Sequence, residues 1–272
     1  MSNTQLYRSI LAARKPSIIG LLNTPAGAGA AAAYSLRMLN ADLIGEDIIE
    51  VKRVANSDFD RFPLTADGIP FDQIASFCGA SDGIIPWWQD QSGNNWAVSN
   101  IAEGNTPVIY QGGDFIRENG VPTIEFGVDK WLVNEDVSID QPNTTIMAGY
   151  RSQTASGTSV LFDGSIIRQL RFSTSVNEQA SAGSALPISV SIAVMHSSYI
   201  FFNGANSLFY INQNLSNSGN TGSNNLRGLV LGKNIEFGAS VCRASEFNFF
   251  NGDKSDFRTE LISNLMDYYG IS

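Results

Sequence analysis

A single histidine, His196, and two cysteines, Cys78 and Cys242, are the only imidazole and thiol groups in this 272-residue chain. That scarcity excludes a great deal. One histidine cannot build a histidine-rich metal site, and it makes a Ser-His-Asp triad a poor expectation. Two cysteines 164 positions apart are neither a disulfide framework nor a metal-spaced pair. Both sit among apolar residues and are expected to be buried free thiols. Basic residues are also few, with 17 Lys and Arg against 26 Asp and Glu, a net charge of −9. An acidic chain without clustered Lys and Arg lacks the means to neutralise phosphates, so nucleic acid is not an expected partner. No run approaches the ~20 apolar residues of a membrane-spanning helix, so no membrane insertion is expected. Near the N-terminus Arg8, Arg14, Lys15 and Pro16 interrupt any secretory apolar segment, which points to synthesis in a reducing cytoplasm. Asp58, Asp60 and Asp129 lack the spacing of a calcium loop, so neither a metal nor another cofactor is expected.

What is present is apolar and β-prone. Hydrophobic residues make up 43% of the chain, enough for a large core. The stretch Trp87-Trp88-Gln89-Asp90-Gln91-Ser92-Gly93-Asn94-Asn95-Trp96 stands out. Apolar runs flank its Ser-Gly-Asn turn, which reads as a connection between two strands. It is either a core hairpin or an aromatic platform for a ligand, since indoles bury a large area yet keep one donor. The candidate ligand-binding residues are Trp87, Trp88, Asp90, Asn94, Asn95 and Trp131. For Trp88 and Asp90 the alternative is structural, with Asp90 bonding the turn amides behind it.

The charge divides unevenly. Residues 1–33 carry Arg8, Arg14 and Lys15 and no acid, while all 26 acids lie after them. Residues 4–14 read as a short amphipathic helix stopped by Pro16. An apolar patch follows at Ile18 to Leu22, then an Ala/Gly linker across 24–33. Residues 1–30 are therefore expected to be an arm that docks on a partner through Leu6, Tyr7, Ile10, Leu11, Ile18, Ile19, Leu21 and Leu22.

From residue 31 short strands recur. They are expected at 48–54, 107–110, 121–126, 130–133, 143–150, 158–163, 165–172, 187–195, 198–203, 206–211, 226–232 and 245–249, with Gly- and Asn-bearing turns between them. His196 is expected at a strand end. The stretch 212–225, rich in Asn, Ser and Gly, reads as a long flexible loop. Two helices are expected, one over 71–78 stopped by Gly79 and one from Ser255 or Asp256 to Gly270. In the second, Phe257, Leu261, Leu265 and Tyr268 share the apolar face. This pattern defines an all-β sandwich or jelly roll with a few short helices.

Several segments together carry a family resemblance: Ala31 to Arg37, Ile49 to Asp58, Trp88 to Asn94, Asn119 to Gly127, and Phe250 to Ile271. Over residues 31–272 the chain resembles the concanavalin A-like, laminin-G-type jelly rolls of bacteriophage virion proteins. The same sandwich is related to the catalytic domain of family 54 α-L-arabinofuranosidases. The resemblance implies a jelly-roll sandwich. It further implies a virion structural protein: a capsid decoration or a head- or tail-fibre subunit, docked by its arm on a major capsid protein or a fibre or tail component. A homo-oligomer, with a trimer as the first guess, and a virion location are expected with it. The arabinofuranosidases use two catalytic carboxylates and an adjacent cysteine pair. This chain has no Cys-Cys and no carboxylate that aligns with either, so the expectation is no enzymatic activity. The alternative is a module that binds host-surface glycans, and the lesser alternative is a glycoside hydrolase.

Overall fold

The computed structural model describes residues 19–151, 159–173, 178–188, 190, 194–233 and 241–272. The strands in chain order begin with β1 (Ala30–Ser35), β2 (Asp47–Arg53), β3 (Phe59–Pro63), β4 (Gly83–Trp88), β5 (Val98–Ser99), β6 (Val108–Gln111) and β7 (Asp114–Phe115). Next come β8 (Arg117–Glu118), β9 (Val121–Pro122), β10 (Ile124–Phe126), β11 (Leu132–Ile139), β12 (Asn143–Arg151), β13 (Ser159–Asp163) and β14 (Leu170–Ser173). The series closes with β15 (Glu178–Ser181), β16 (Ala185–Ile188), β17 (His196–Phe202), β18 (Ser207–Ile211), β19 (Asn214–Gly219), β20 (Leu226–Leu231) and β21 (Cys242–Asn251). The helices are α1 (Phe71–Cys78) and α2 (Arg258–Tyr269).

All pairings are antiparallel and form two layers, as the density of short strands implied. One layer runs β3-β2-β4-β5-β11-β20-β13-β14-β15-β16. In the other, β21 pairs with β1 and β10 on one side and with β12 on the other, followed by β17, β18 and β19. β6 pairs with both β4 and β10 and so ties the layers together at one edge.

The main core lies between the layers, where Ile49, Trp88, Leu132 and Leu231 meet Phe126, Phe202, Phe209, Phe247 and Phe249. A second core lies on the outer face of the β21 layer. There α2 lays Leu261, Ile262, Leu265 and Tyr269 over Ile146, Ala148, Tyr199 and Phe250. This explains the sequence of β21: a strand covered on both faces reads as a nearly continuous buried run instead of an alternating one. Burial of these faces, at about 25 cal/mol per Å² of apolar area, is the main favourable term holding α2 in place.

The helices fall where their stop signals put them. Gly79 (φ 58°) and Gly270 (φ 59°) adopt positive φ after α1 and α2, a conformation that costs glycine little. In α2 the residue facing the sheet is Tyr269 and not the expected Tyr268, which is partly exposed: the four-residue step from Leu265 that continues the Leu261–Leu265 stripe falls on Tyr269.

Three expectations are corrected. The Ala/Gly segment is not an open linker: Ala26 is buried in the α2 core, and Ala31, Ala32 and Ala33 are buried in β1, where Phe249 and Phe250 lie across the strand pair. The flexible loop at 212–225 contains β19, an edge strand whose lone large apolar residue, Leu215, is exposed, so no apolar alternation reveals it. The strand expected over 165–172 is confined to β14, and residues 165–169 form a turn with one bridge, Ile167 to Arg227. Of the strand expected at 187–195, residues 187 and 188 belong to β16, residues 190, 194 and 195 are not in a strand, and residues 189 and 191–193 lie outside the described residues.

Candidate functional site

The Trp87–Trp96 stretch divides by strand alternation. Trp88 points inward, is fully buried, and donates its indole N–H to the Ser35 carbonyl at 3.4 Å. Trp87 points the other way, onto the exposed face of the β3-β2-β4 sheet. There Arg61, Glu50 and Trp87 lie in register across three strands. The Arg61 guanidinium ion-pairs with Glu50 at 3.0 Å and sits over the Trp87 ring at 4.7 Å. The return strand is β5, paired Trp87 to Ser99 and Trp88 to Val98, so the connection is a wide loop and not a tight turn.

Asp90 organises that loop. Its Oδ1 accepts from the amides of Ala33 and Ser92, both at 2.8 Å, and its Oδ2 accepts from the Ser92 hydroxyl at 2.6 Å and the Trp96 amide at 3.3 Å. A buried carboxylate with four donors is a structural anchor, and no oxygen is left for a ligand. Asn94 is also occupied, donating to the Ala31 carbonyl at 2.8 Å.

Beside Trp87 the surface is concave. Asp42, Leu43, Glu46, Asp47, Ile48, Arg61, Gln89 and Asn95 line one open cleft. Local structure places each acid. Asp42 lies in a 3-10 turn whose N-cap, Asn40, accepts from the Asp42 amide at 3.1 Å. Glu46 and Asp47 lead into β2, and the Gln89 amide donates to the Ile48 carbonyl across the β2–β4 edge at 2.8 Å. Gln89 Nε2 donates to Asn95 Oδ1 at 2.8 Å, and Asn95 takes positive φ (64°). Asp42, Glu46 and Asp47 are exposed and make no ion pair among the described residues. Such a set can accept hydrogen bonds through its carboxylates and donate them through its amides and guanidinium, the requirement for binding a polyhydroxylated ligand. Among the described residues no three His, Cys, Asp or Glu are placed to hold a metal ion.

Of the six ligand-binding candidates, the cleft thus gathers Asn95 in its wall and Trp87 at its edge, while Trp88, Asp90 and Asn94 support it from behind. Trp131 does not line it; the Lys233 ammonium sits 3.8 Å over its ring. Sequence reasoning missed Asp42, Glu46, Asp47, Arg61 and Gln89. The acidic run at 42–47 was the available signal, but only the fold brings it against Gln89. Of the arm residues, Leu21 is buried and Leu22 half-buried in the α2 core, and Ile19 is exposed; Leu6, Tyr7, Ile10, Leu11 and Ile18 lie outside the described residues.

Three further polar clusters were not anticipated. Beneath α2, Arg37 meets Glu246 bidentately at 2.6 and 2.9 Å. Between the layers, Arg171 and Glu178 of one layer meet His196 of the other, with Arg171 Nε donating to Glu178 Oε2 at 2.9 Å. Partly exposed near the β8–β9 hairpin, Arg243 pairs with both Glu118 and Glu125, and the Tyr150 hydroxyl donates to Glu118. Burial and then the Glu118 carboxylate push the Tyr150 hydroxyl upward. His196 opens β17 and does not close the run from Ile188 to Met195 that it was expected to end. Cys78 and Cys242 are buried thiols, Cys242 Sγ donating to the Val160 carbonyl at 3.4 Å, and burial pushes the Cys78 thiol up to about 11.

No protein-family model matches the chain, and no curated protein is similar to it in sequence. Solved structures are similar in fold. An arabinofuranosidase complexed with arabinofuranosyl-α-1,2-xylobiose superposes with a TM-score of 0.71 at 14% identity, over 88% of this chain. A glutamate-to-glutamine variant of a glycoside hydrolase family 54 α-L-arabinofuranosidase, soaked with 4-nitrophenyl α-L-arabinofuranoside, gives 0.71 at 12% identity over the same share. A third, soaked with a cyclic sulfate inhibitor, gives 0.69 at 13% identity. This chain spans 63% of the length of each. At such identities the likeness establishes the fold alone, an antiparallel jelly-roll β-sandwich with a C-terminal helix, as expected from the sequence. It also overturns the expectation of a virion structural subunit without enzymatic activity, because the structures that share the fold over most of the chain are glycoside hydrolases. The missing Cys-Cys pair is one local departure and does not outweigh that likeness.

Proposed function

We propose that this chain acts on glycosides, binding a saccharide in the cleft beside Trp87 and hydrolysing it there. The observation that supports this reading is the convergence of Asp42, Glu46 and Asp47 with Arg61, Gln89 and Asn95 in one cleft beside the half-buried Trp87 indole. The fold likeness to family 54 arabinofuranosidases agrees with it. Glycoside hydrolysis asks for two carboxylates flanking one bond, one giving a proton to the leaving oxygen and the other serving as nucleophile or base. The amides and the guanidinium supply the orienting hydrogen bonds.

Binding without cleavage is the second reading. It is favoured by the exposure of all three carboxylates, since a general acid at neutral pH is normally raised by burial. One experiment separates the two. The full chain is incubated with 4-nitrophenyl α-L-arabinofuranoside and a panel of other 4-nitrophenyl glycosides, and binding and nitrophenolate release are followed together. Turnover that falls about 100-fold or more in Asp42→Asn, Glu46→Gln or Asp47→Asn supports hydrolysis. Saturable binding without turnover, weakened about tenfold in Trp87→Ala, supports the second reading. Neither binding nor turnover on any member would remove both.

A further inference from the structure

We infer that His196 is an acid-sensitive latch between the two layers: neutral, it accepts a hydrogen bond from Arg171 and holds β14 and β15 against β17, and protonated, it lets them part. The latch is independent of the glycoside reading of the Trp87 cleft, and it follows from the hydrogens the cluster can hold. His196 Nδ1 lies 3.0 Å from the Val194 carbonyl, which can only accept, so Nδ1 carries the hydrogen of the neutral ring. Nε2 meets Arg171 Nη2, which can only donate, so Nε2 offers a lone pair. One tautomer of the neutral imidazole satisfies both contacts, and no form with a second proton does.

The cluster is closed off from water: Arg171 and Glu178 are fully buried and His196 is 4% exposed. Among the described residues the charged groups that touch the imidazole are Arg171 of β14 and Glu178 of β15. On β12 the residue in register with His196 is Gly149, which has no side chain, and β18 presents the Phe209 ring to the Arg171 guanidinium at 5.9 Å. Charge is therefore balanced only while the ring is neutral, one guanidinium against one carboxylate. A proton taken up at Nε2 sets an N–H against the Arg171 N–H and breaks that bond. It also leaves two cations and one carboxylate between the layers, and an uncompensated buried charge is costly. The nearest acceptor, Glu178 Oε2, is 3.6 Å from Nε2 and already takes both Arg171 contacts. Opening the β14–β15 edge to water relieves both penalties, so the latch is closed when the ring is neutral and opens as pH falls and the ring gains its proton. Glu178, held down at about 2, stays ionised above about pH 4.5 and is not the trigger.

His196 is the sole histidine, so nitrogen NMR of the imidazole in the full-length protein reads this ring and no other. The neutral-pH spectrum is expected to show a protonated Nδ1 and an unprotonated Nε2; the opposite tautomer would overturn the latch. Hydrogen exchange of the β15 and β16 amides, expressed as protection factors, is followed in parallel from about pH 8 to about pH 4.5. Protection is expected to fall about tenfold in step with ring protonation, while the β2 and β4 amides keep theirs. Both readouts use the unmodified chain. In His196→Gln, which has no proton to gain, the step should vanish. A step that survives in His196→Gln would assign it to another group and overturn the latch. A ring that protonates without loss of protection would overturn it too, by showing that Glu178 takes over the imidazolium in place, as would a ring that stays neutral down to about pH 4.5.

Discussion

Two arginine–glutamate pairs are buried among the described residues, and they are built differently. Glu246, under α2, uses both carboxylate oxygens. Arg37 reaches Oε2 and Oε1, Ser35 and Tyr269 donate to Oε2 at 2.9 and 3.0 Å, and Asn248 donates to Oε1 at 2.7 Å. The Arg37 guanidinium also lies over the Tyr268 ring at 4.8 Å. Glu178, between the layers, takes both Arg171 contacts on Oε2 alone. Glu178 Oε1 and Arg171 Nη1 have no partner among the described residues. Both pairs bear the same desolvation cost, but only one recovers it in hydrogen bonds. Glu246 is therefore a satisfied structural centre that orients β1, β21 and α2, while Arg171–Glu178 is a pair the fold retains without completing.

The contrast can be broken most sharply by removing one carboxylate. Glu246→Ala should cost about 3–5 kcal/mol in a denaturant titration, because it leaves Arg37 charged and buried with three orphaned donors. Replacing both partners should then separate the sites. Arg171→Met with Glu178→Leu is expected to be neutral or stabilising by about 1–4 kcal/mol, whereas Arg37→Met with Glu246→Leu remains destabilising because Ser35, Tyr269 and Asn248 lose their acceptor. Equal effects of the two double variants would refute the distinction.

Acid should act on both pairs in the same direction. Burial alone would raise the Glu178 carboxyl, yet the Arg171 guanidinium, with His196 beside it, holds it down at about 2. Burial likewise opposes ionisation of Glu246, and Arg37 outweighs it and holds that carboxyl low. A folded-state value below that of an unfolded glutamate gives stability that is present above about pH 4.5 and is lost as pH falls toward 2. Unfolding free energy should decline through that window, and Glu178→Gln should flatten the decline; an unchanged slope in that variant would show that Glu178 does not contribute to it. A smaller effect is expected at the anchor of the Trp loop: Asp90→Ala should cost about 1–3 kcal/mol by orphaning the amides of Ala33, Ser92 and Trp96. Trp87→Ala, on the exposed face, should change stability by no more than about 0.5 kcal/mol.

Much of the fold was legible from the chain alone. Apolar periodicity and a glycine stop located α1 and α2, and short β-prone runs with turn signals gave the sandwich. Local patterning is decisive when an element buries one face against a core, as α1 does through Ile74 and Cys78. It fails where the pattern is absent for a tertiary reason. β19 buries no apolar face because it is an edge, and β1 is made of alanines because it is crowded. In the candidate site, the alternation of Trp87 and Trp88 and the turn chemistry of Asp90 could be read from residue spacing.

Composition and local patterning were enough for an acidic, β-rich chain with two glycine-stopped helices and two buried thiols. The meeting of Asp42, Glu46 and Asp47 with Gln89 and Asn95, the cover of Arg61 over Trp87, and the opposite states of hydrogen bonding of Glu246 and Glu178, alike in sequence terms, arise from the packing of distant segments. The reason is range. Helix and strand signals act over a few residues of chain, while a cleft or a buried ion pair joins positions as far apart as Arg37 and Glu246, whose meeting depends on strand register and on the helix laid over it.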